Sequence, residues 1–252
     1  MPRLDDSMQS YKIGGSFAFS GTRVERLGAV ASEYTLVDIA VDVSGSVLCF
    51  AKQLREMLIS AIEGCKKGPR AENVLLRVIF FSSKYPNGIN EIHGYKPLNE
   101  IDLNSYPDIQ PGGETPLYDA CYSVIGAQNV YAKKLAEPGQ DFSSNGIAYI
   151  ITDGGENASI ATAQMVADEA RKSVSGEVLE SMISVLIGIN VANYSQWLSR
   201  FQQEAGLTQF IDAGDVTSRK LAKLANFVSQ STSSQTQAKG TGGPSQNISA
   251  TI

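Results

Sequence analysis

The sequence contains few of the residues that carry common enzyme chemistry. Among 252 residues it has one histidine, His93, and three cysteines. A Ser-His-Asp hydrolase would therefore have to be built around His93. The cysteines Cys49, Cys65 and Cys121 have no C-x-x-C spacing and lie among apolar residues, which favours buried free thiols and a reducing compartment. Neither a P-loop nor a G-x-G-x-x-G motif is present, which argues against the common nucleotide-binding loops.

The sequence also lacks a basic stretch and a long apolar run. Its formal net charge is -5 and its pI is about 5.0, so no nucleic-acid partner is expected. No run of about 18 apolar residues occurs, and no signal-peptide pattern opens the sequence, so no membrane partner is expected either. Together with the cysteines, these features predict a cytoplasmic protein.

From Tyr34 onward, strand patterns alternate with helix patterns. The stretch "YTLVDIAVDV" is typical of a strand that is covered by helices on both sheet faces, and the next residues place apolar side chains three and four apart, as in a helix. This alternation predicts a three-layer, doubly wound (Rossmann-like) α/β fold with a mostly parallel sheet. The stretch "INEIHGY" (89–95) follows the strand at 73–83 after only a short turn, so we predict that the two are antiparallel.

We expect three segments along the chain. Residues 1–33 form an N-terminal arm, for which "SFAFSGTRVERL" suggests a short hairpin with Phe17 and Phe19 on one face. Residues 34–228 form the α/β domain. Residues 229–252 are rich in Ser, Thr, Gln and Gly and contain too little apolar surface to pack alone, so we interpret them as a flexible tail.

Three separate segments place oxygen-bearing side chains where the predicted strands end. Asp42, Ser44 and Ser46 follow the first buried strand, and Asp153 follows "GIAYIIT". Thr115 begins a helix after the long irregular loop that contains "PGGETPL". Because doubly wound sheets bind ligands at the carboxyl ends of their strands, these side chains are expected to meet there. Mg²⁺ takes about six oxygen ligands, which hydroxyls, carboxylates and water supply.

Each of these residues also has an ordinary structural explanation. Ser46 and Thr115 both suit the N-cap position of a helix, and Asp153 before a glycine is a turn signal. Asp119, four residues beyond Thr115, is expected to face solvent. These explanations account for each residue alone, but they do not explain why three segments supply oxygen ligands at one sheet edge. We therefore favour a metal site with an open coordination position that accepts a carboxylate from another molecule.

The pattern resembles the metal-ion-dependent adhesion site of von Willebrand factor A (VWA) domains. The resemblance covers about residues 35 to 228 and rests on D-x-S-x-S, on the threonine of "GGETPL" and on the aspartate of "TDG". All five positions match, although "TDGGEN" has a second glycine, Gly155, where many relatives have an acidic residue. The positions that match are Asp42, Ser44, Ser46, Thr115 and Asp153.

The resemblance implies a VWA-like sheet with one antiparallel edge strand, which agrees with the interpretation of "INEIHGY". It implies Mg²⁺, with Mn²⁺ or Ca²⁺ as substitutes, held directly by Ser44, Ser46 and often Thr115. In such domains the two aspartates commonly bind through water, and a Glu or Asp of a protein partner completes the coordination. Stand-alone relatives often belong to multi-protein systems with AAA+ ATPases, kinases or stress-resistance proteins.

These implications favour a protein-interaction module, and we do not expect an enzyme. A metal-dependent hydrolase or phosphatase is the first alternative, but the aspartyl-phosphate type needs a second carboxylate two residues after the first, where this sequence has Ser44. His93 is predicted on the edge strand, away from the site. The second alternative is a structural assembly protein whose metal site is unused.

Overall fold

In the part of the chain that the structure describes, eight strands form one mixed sheet, and five helices cover its two faces. The computed structural model describes residues 4–24, 32–136, 142–175 and 179–240. The strands are β1 (Leu4–Ile13), β2 (Phe17–Val24), β3 (Ser32–Asp42), β4 (Val74–Phe81), β5 (Ile89–Pro97), β6 (Phe142–Thr152), β7 (Leu179–Gly188) and β8 (Gln209–Asp212). The helices are α1 (Ala51–Lys66), α2 (Leu117–Leu135), α3 (Ala163–Ser175), α4 (Ser195–Glu204) and α5 (Ser218–Gly240).

The strand order confirms the predicted α/β fold class. Across the sheet the order is β1-β2-β5-β4-β3-β6-β7-β8, and β3 pairs in parallel with both β4 and β6. The sheet continues in parallel through β7 and β8, whereas β5 is antiparallel to β4, as predicted for "INEIHGY". The N-terminal strands lie beyond β5, so β1 is the outermost strand on this side.

Alternate residues of β3 face two different helix layers, because side chains of a strand point to opposite faces in turn. Val37, Ile39 and Val41 pack with α1 and α5, and Ala40 packs with α2, α3 and α4. β3 is therefore buried on both faces, which explains its nearly continuous apolar sequence. Among the described helices, none is long and apolar enough to span a membrane.

The N-terminal arm forms the antiparallel hairpin β1–β2 and extends the sheet. Phe17 and Phe19 are both buried, and they share an aromatic cluster in which the rings of Tyr95 and Tyr131 stack with centroids 4.6 Å apart. Gly21 gives the space for this packing, since a Cβ atom there would lie 2.6 Å from Tyr131 Cε2. The described part of the arm thus shares a core with the α/β domain.

A buried polar network connects the hairpin to the central strands. Glu91 accepts hydrogen bonds from the Ser20 backbone N–H at 3.0 Å and from Arg77 Nε at 2.7 Å. Arg77 also donates to Asp38 Oδ1 at 3.0 Å, and both side chains are fully buried. Burial raises the pKa of Asp38, and the Arg77 guanidinium opposes that shift. Since β2 and β5 pair directly at only one position, Glu91 is a main attachment point of the hairpin.

Helix α5 continues through Gly240, so the structure differs from the predicted boundary at residue 228. Ser231 and Thr232 are buried, and their hydroxyls lie 2.6 and 3.1 Å from the hydroxyl of Tyr149 on β6. Ser231 Oγ also donates to the carbonyl of Phe227, one turn earlier. Short hydroxyl side chains thus satisfy their hydrogen bonds inside the helix interface, which composition alone does not reveal. Residues 241–252 of the predicted tail lie outside the described residues.

The three cysteines are free, but only Cys65 and Cys121 are buried. The prediction that Cys49 is buried is wrong. Cys49 ends a short 3-10 turn, Gly45–Cys49, that precedes α1. The apolar sequence neighbours from which its burial was inferred do not place its side chain in the core, because this turn lacks α-helical spacing.

His93 lies on β5 inside the sheet, under the loop that follows this strand. Its Nδ1 lies 2.9 Å from the carbonyl oxygen of Gly94, and its Nε2 contacts the hydroxyl of the buried Tyr106. The prediction of an edge position is wrong, because the N-terminal hairpin covers the far side of β5. Burial lowers the pKa of His93 to about 4.

We predict that Glu91→Gln loosens the N-terminal hairpin. Glutamine still accepts a hydrogen bond from Ser20 but loses the ion pair with Arg77, so we expect a loss of about 2 kcal/mol in the free energy of unfolding. Hydrogen exchange of the β1 and β2 amides should accelerate more than that of β3. The exposed Glu63 on α1 provides the control, Glu63→Gln. Equal exchange rates in the two variants would contradict this assignment.

We predict that His93 makes the protein less stable in acid. Above pH 6.5 the imidazole is neutral in both states, and as the pH falls toward 4 only the unfolded chain gains this proton. The free energy of unfolding should therefore fall by about 3 kcal/mol relative to His93→Gln over this interval. Urea unfolding at several pH values measures the difference. The single imidazole signal in NMR should titrate near pH 4, and a midpoint near 6.5 would disprove the burial effect.

Candidate metal centre

Asp42 ends β3 and is held by hydrogen bonds on both carboxylate oxygens. The Ser44 backbone N–H donates to Oδ1 at 2.9 Å, and the Thr152 hydroxyl donates to Oδ2 at 2.7 Å. Only 1% of Asp42 is exposed. Burial raises the pKa of Asp42 to about 6, and the hydrogen bond from Thr152 opposes this shift. The parallel pairing of β3 with β6 places Thr152 beside Asp42.

A chain of side-chain hydrogen bonds links Ser44, Ser46 and Asp153. The hydroxyls of Ser44 and Ser46 lie 3.0 Å apart, and Ser46 Oγ donates to Asp153 Oδ1 at 2.7 Å. Asp153 follows the last residue of β6, and burial raises its pKa. The structure thus brings together the carboxylates and hydroxyls from the ends of two adjacent parallel strands, although Ser46 and Asp153 are 107 positions apart in the sequence.

Thr115 lies at the same edge of the sheet, immediately before α2. Its backbone N–H donates to Asn157 Oδ1 at 2.7 Å, and the Asn157 N–H donates to the Thr115 carbonyl at 3.2 Å. A Cβ atom at Gly154 would lie 3.7 Å from Thr115 Oγ1, so this hydroxyl is next to the turn that carries Asp153. All five predicted residues therefore meet at one place.

The ordinary capping explanations do not hold for Ser46 and Thr115. Pro116 occupies the N-cap position of α2, and Phe50 occupies that of α1. The N-cap residue of the 3-10 turn after β3 is Ser44, which makes no side-chain capping bond. The two hydroxyls therefore face the cluster and do not serve as helix caps.

The end of the long loop is attached to the turn after β3 by backbone hydrogen bonds. Gly112 N–H donates to the Val43 carbonyl at 3.1 Å, and Gly45 N–H donates to the Gly113 carbonyl at 3.0 Å. Gly113 has a φ of +76°, and a Cβ atom there would lie 2.6 Å from Ser82 Oγ. This close approach requires glycine at position 113. It holds the end of the loop against the sheet edge, which places Thr115 at the site.

A further set of polar contacts connects the loop after β6 with the start of α2. Asp119 accepts hydrogen bonds from the backbone N–H groups of Ile160 and Ala161 at 3.1 and 2.7 Å, and Glu156 accepts one from the Tyr118 N–H at 2.9 Å. Asp119 is 1% exposed, so the prediction that it faces solvent is wrong. A carboxylate on a helix can be buried when backbone N–H groups of a neighbouring loop donate hydrogen bonds to it.

Sequence reasoning did not identify Thr152, Glu156 or Asn157 as supporting residues. Each lies within four positions of Asp153, and that proximity was the only signal available. Their partners, Asp42, Tyr118 and Thr115, come from other segments of the chain.

The donor set fits a hard divalent cation. It contains only oxygen donors, two carboxylates and three hydroxyls, which suit Mg²⁺ better than a softer metal. Within the described residues, no side-chain cation lies within 4.0 Å of Asp42 or Asp153. The same residues contain no cluster of three or more His, Cys, Asp or Glu that could hold a metal. A metal here would therefore depend on the hydroxyls as well as on the two aspartates.

Comparison with known proteins supports the fold but gives no family assignment. No family model matches the chain, and no curated protein matches it. Similar solved structures include the PilB minor pilin from Streptococcus sanguinis, with a TM-score of 0.54 and 14% identity over 83% of this chain and 64% of that one. The pilus adhesin SpaC from Lactobacillus rhamnosus GG, in its open conformation, has a TM-score of 0.51 and 11% identity over 88% of this chain and 33% of that one.

A third similar structure contains zinc. It is proximal thread matrix protein 1 from the mussel byssus, described with a zinc-occupied MIDAS motif. Its TM-score is 0.50, with 12% identity over 80% of this chain and 46% of that one. At 11–14% identity these three likenesses show the fold alone. The chain spans between a third and two thirds of each of these structures, and its fold is VWA-like.

Proposed function

We propose that this protein is a metal-dependent protein-interaction module that binds Mg²⁺ and holds an acidic residue of a partner protein. The observation that carries the proposal is the single hydrogen-bonded cluster at the sheet edge, in which two buried carboxylates have no cationic partner among the described residues. Mn²⁺ and Ca²⁺ are possible substitutes for Mg²⁺. The residues proposed to hold the metal are Asp42, Ser44, Ser46, Thr115 and Asp153.

The chemistry of the donor set explains why a partner carboxylate is needed. Neutral hydroxyls of Ser44, Ser46 and Thr115 lie among the donors, so only two negative charges face the cation. A bound Mg²⁺ would supply an electrophilic centre that attracts a further carboxylate. Thr152 and the Ser44 N–H orient Asp42 by occupying one lone pair on each of its oxygens. Ser46 orients Asp153 through one oxygen only, by donating to Oδ1.

The partner we propose is a protein that presents an Asp or Glu. We propose that this partner belongs to a multi-protein system, for example as an AAA+ ATPase, a kinase or a stress-system protein. Nucleic-acid and membrane partners are not part of the proposal. The free cysteines support a cytoplasmic location. Two of the similar structures are a minor pilin and a pilus adhesin, so the location is also a proposal.

The enzyme alternative has less support than the interaction module. The position two residues after Asp42 is Ser44, which does not serve as the general acid of an aspartyl-phosphate enzyme. Both ring nitrogens of His93 contact other groups, the carbonyl of Gly94 and the hydroxyl of Tyr106. A non-enzymatic role is therefore proposed. The other alternative, a structural assembly protein with an unused metal site, differs from the interaction module because it has no partner whose binding depends on the metal.

We predict that wild-type protein binds one Mg²⁺ and that Thr115→Ala and Asp42→Ala each weaken binding at least about tenfold. Both changes remove an oxygen from the proposed donor set. Isothermal titration calorimetry measures the affinity, and Asp168→Ala, which changes a half-buried carboxylate on α3 outside the site, is the control. Unchanged Mg²⁺ affinity in both variants would refute the site.

The same variants separate the rival functions. Partner capture with immobilised wild-type protein, read by mass spectrometry, should require Mg²⁺ and be lost in EDTA and in Thr115→Ala. Phosphatase turnover that depends on Asp42 would instead establish the enzyme alternative. Capture that is insensitive to EDTA and to both variants would favour the structural assembly protein.

We predict that Asn157 positions Thr115 without binding the metal. Asn157→Ala removes the acceptor of the Thr115 N–H, so Mg²⁺ affinity should fall by about threefold to tenfold. Asn157→Asp keeps an oxygen acceptor at the same place and should retain the wild-type affinity or exceed it. Calorimetry compares the three proteins, and an equal loss in both variants would exclude this positioning role.

A further inference from the structure

Exposed apolar side chains concentrate at the edge of the sheet that carries the candidate site. Among the described residues, five large apolar side chains are exposed, and four of them follow the carboxyl end of a parallel strand. Met8 on β1 is the exception. Grouped apolar side chains on a surface mark interaction sites, whereas single ones do not. The four at the edge are Leu48 (70% exposed), Ile160 (60%), Tyr194 (46%) and Met165 (39%).

Leu48 is held in its exposed position by the turn after β3. It lies two residues after Ser46, and its neighbour Val47 is 1% exposed in the core. The Phe50 N–H donates to the Val47 carbonyl at 3.0 Å, which closes the turn. Because Val47 and Phe50 are both buried, the backbone between them is anchored and presents Leu48 to solvent beside the site.

Tyr194 lies against Gly155, in the turn that carries Asp153. A Cβ atom at Gly155 would lie 3.1 Å from Tyr194 Cδ1, a closer approach than a side chain there would readily allow. Gly155 is the position where the sequence departs from the acidic residue of many VWA domains, and the tyrosine ring uses that space. Gly155 is two residues from Asp153, so the aromatic ring borders the proposed donors.

Trp197, which belongs to an aromatic group anchored in the core, also lies near Gly155. A Cβ atom at Gly155 would also lie 3.8 Å from Trp197 Cε3. Trp197 stacks on Phe201 with ring centroids 5.8 Å apart and on Tyr118 at 6.3 Å. Phe201 is buried, so the group is anchored in the core and only its outer rings reach the surface.

We infer that Leu48, Tyr194 and Trp197 form a docking surface that receives apolar side chains on both sides of the partner's acidic residue. This inference rests on the proposed function, because the carboxylate would bind between the two apolar groups. Leu48 follows Ser46 by two residues and Gly155 follows Asp153 by two, and a hydrogen bond of 2.7 Å joins Ser46 to Asp153. The occupant is a protein segment in which Asp or Glu is flanked on each side by Leu, Ile or Phe. The acidic donors and the net charge of -5 oppose an anionic lipid surface.

Fluorescence anisotropy with synthetic peptides tests the docking surface. The probes are short labelled peptides with a central Asp, flanked on both sides by Leu, by Phe or by Ser, in excess MgCl₂. Leu-flanked and Phe-flanked peptides should bind at least about tenfold more tightly than Ser-flanked ones, since two apolar side chains become buried. Leu48→Ser and Tyr194→Ser should each remove most of this preference. Met8→Ser, the exposed apolar residue outside the edge, should leave it unchanged.

A substitution at Gly155 tests whether the lack of a side chain at this position makes room for the Tyr194 ring. Gly155→Ala should displace the Tyr194 ring and lower the preference for apolar flanks by about threefold, while Mg²⁺ affinity measured by calorimetry stays the same. Binding that ignores the flanking residues, or is the same in Leu48→Ser and Tyr194→Ser as in wild type, would overturn the docking surface. So would a failure of all peptides to bind protein that is loaded with Mg²⁺.

Failure of the proposed function gives a different result. In that case wild-type protein binds no Mg²⁺ in calorimetry, and peptide binding is unchanged by EDTA or by replacement of the central Asp with Asn. If Leu48→Ser and Tyr194→Ser still weaken binding of the apolar-flanked peptides under those conditions, the docking surface is supported and the metal-dependent function is refuted.

Discussion

The parallel pairing of β3 with β6 is the constraint on which the candidate site depends. Their register places Val41 beside Ile151, so both strands end at the same level, with Asp42 and Asp153 just beyond their last paired residues. Parallel strands meet at their carboxyl ends only because a helical connection brings the chain back across the sheet. The turn after β3, the loop before α2 and the loop after β6 then bond to one another around these two aspartates.

Two buried aspartates of β3 differ in their partners, and the difference separates a structural role from a functional one. Asp38 and Asp42 lie on the same face, four residues apart. Asp38 has a full set of partners: the Arg77 guanidinium, the Tyr95 hydroxyl and Gln128 Nε2. Asp42 has only neutral donors. A buried carboxylate needs partners that compensate for its lost hydration. Asp38 finds all of them within the protein, including a cation, whereas the charge of Asp42 is suited to an added cation.

The sequence predicted the central fold because its elements carry strong local patterns. Strands buried on both faces are continuously apolar, and helices repeat their apolar residues at three and four, so the order of β3 to β8 and α1 to α5 follows from the sequence. The N-terminal hairpin and the end of α5 were harder to predict. Their burial depends on contacts such as Glu91 with Ser20 and Tyr149 with Ser231, which join segments distant in the chain and leave no periodic signal.

For the site, the sequence specifies which residue types are available and indicates that they follow strand ends. The folded structure establishes that Ser46 and Thr115 face the cluster and do not cap helices, and that Asp119 is buried against Ile160 and Ala161. It also decided that Tyr194 lies on Gly155, 39 positions away in the sequence. The physical reason is that hydroxyls, carboxylates and glycines fit many local environments equally well. Which environment each one occupies depends on backbone donors and rings that the fold brings from elsewhere in the chain.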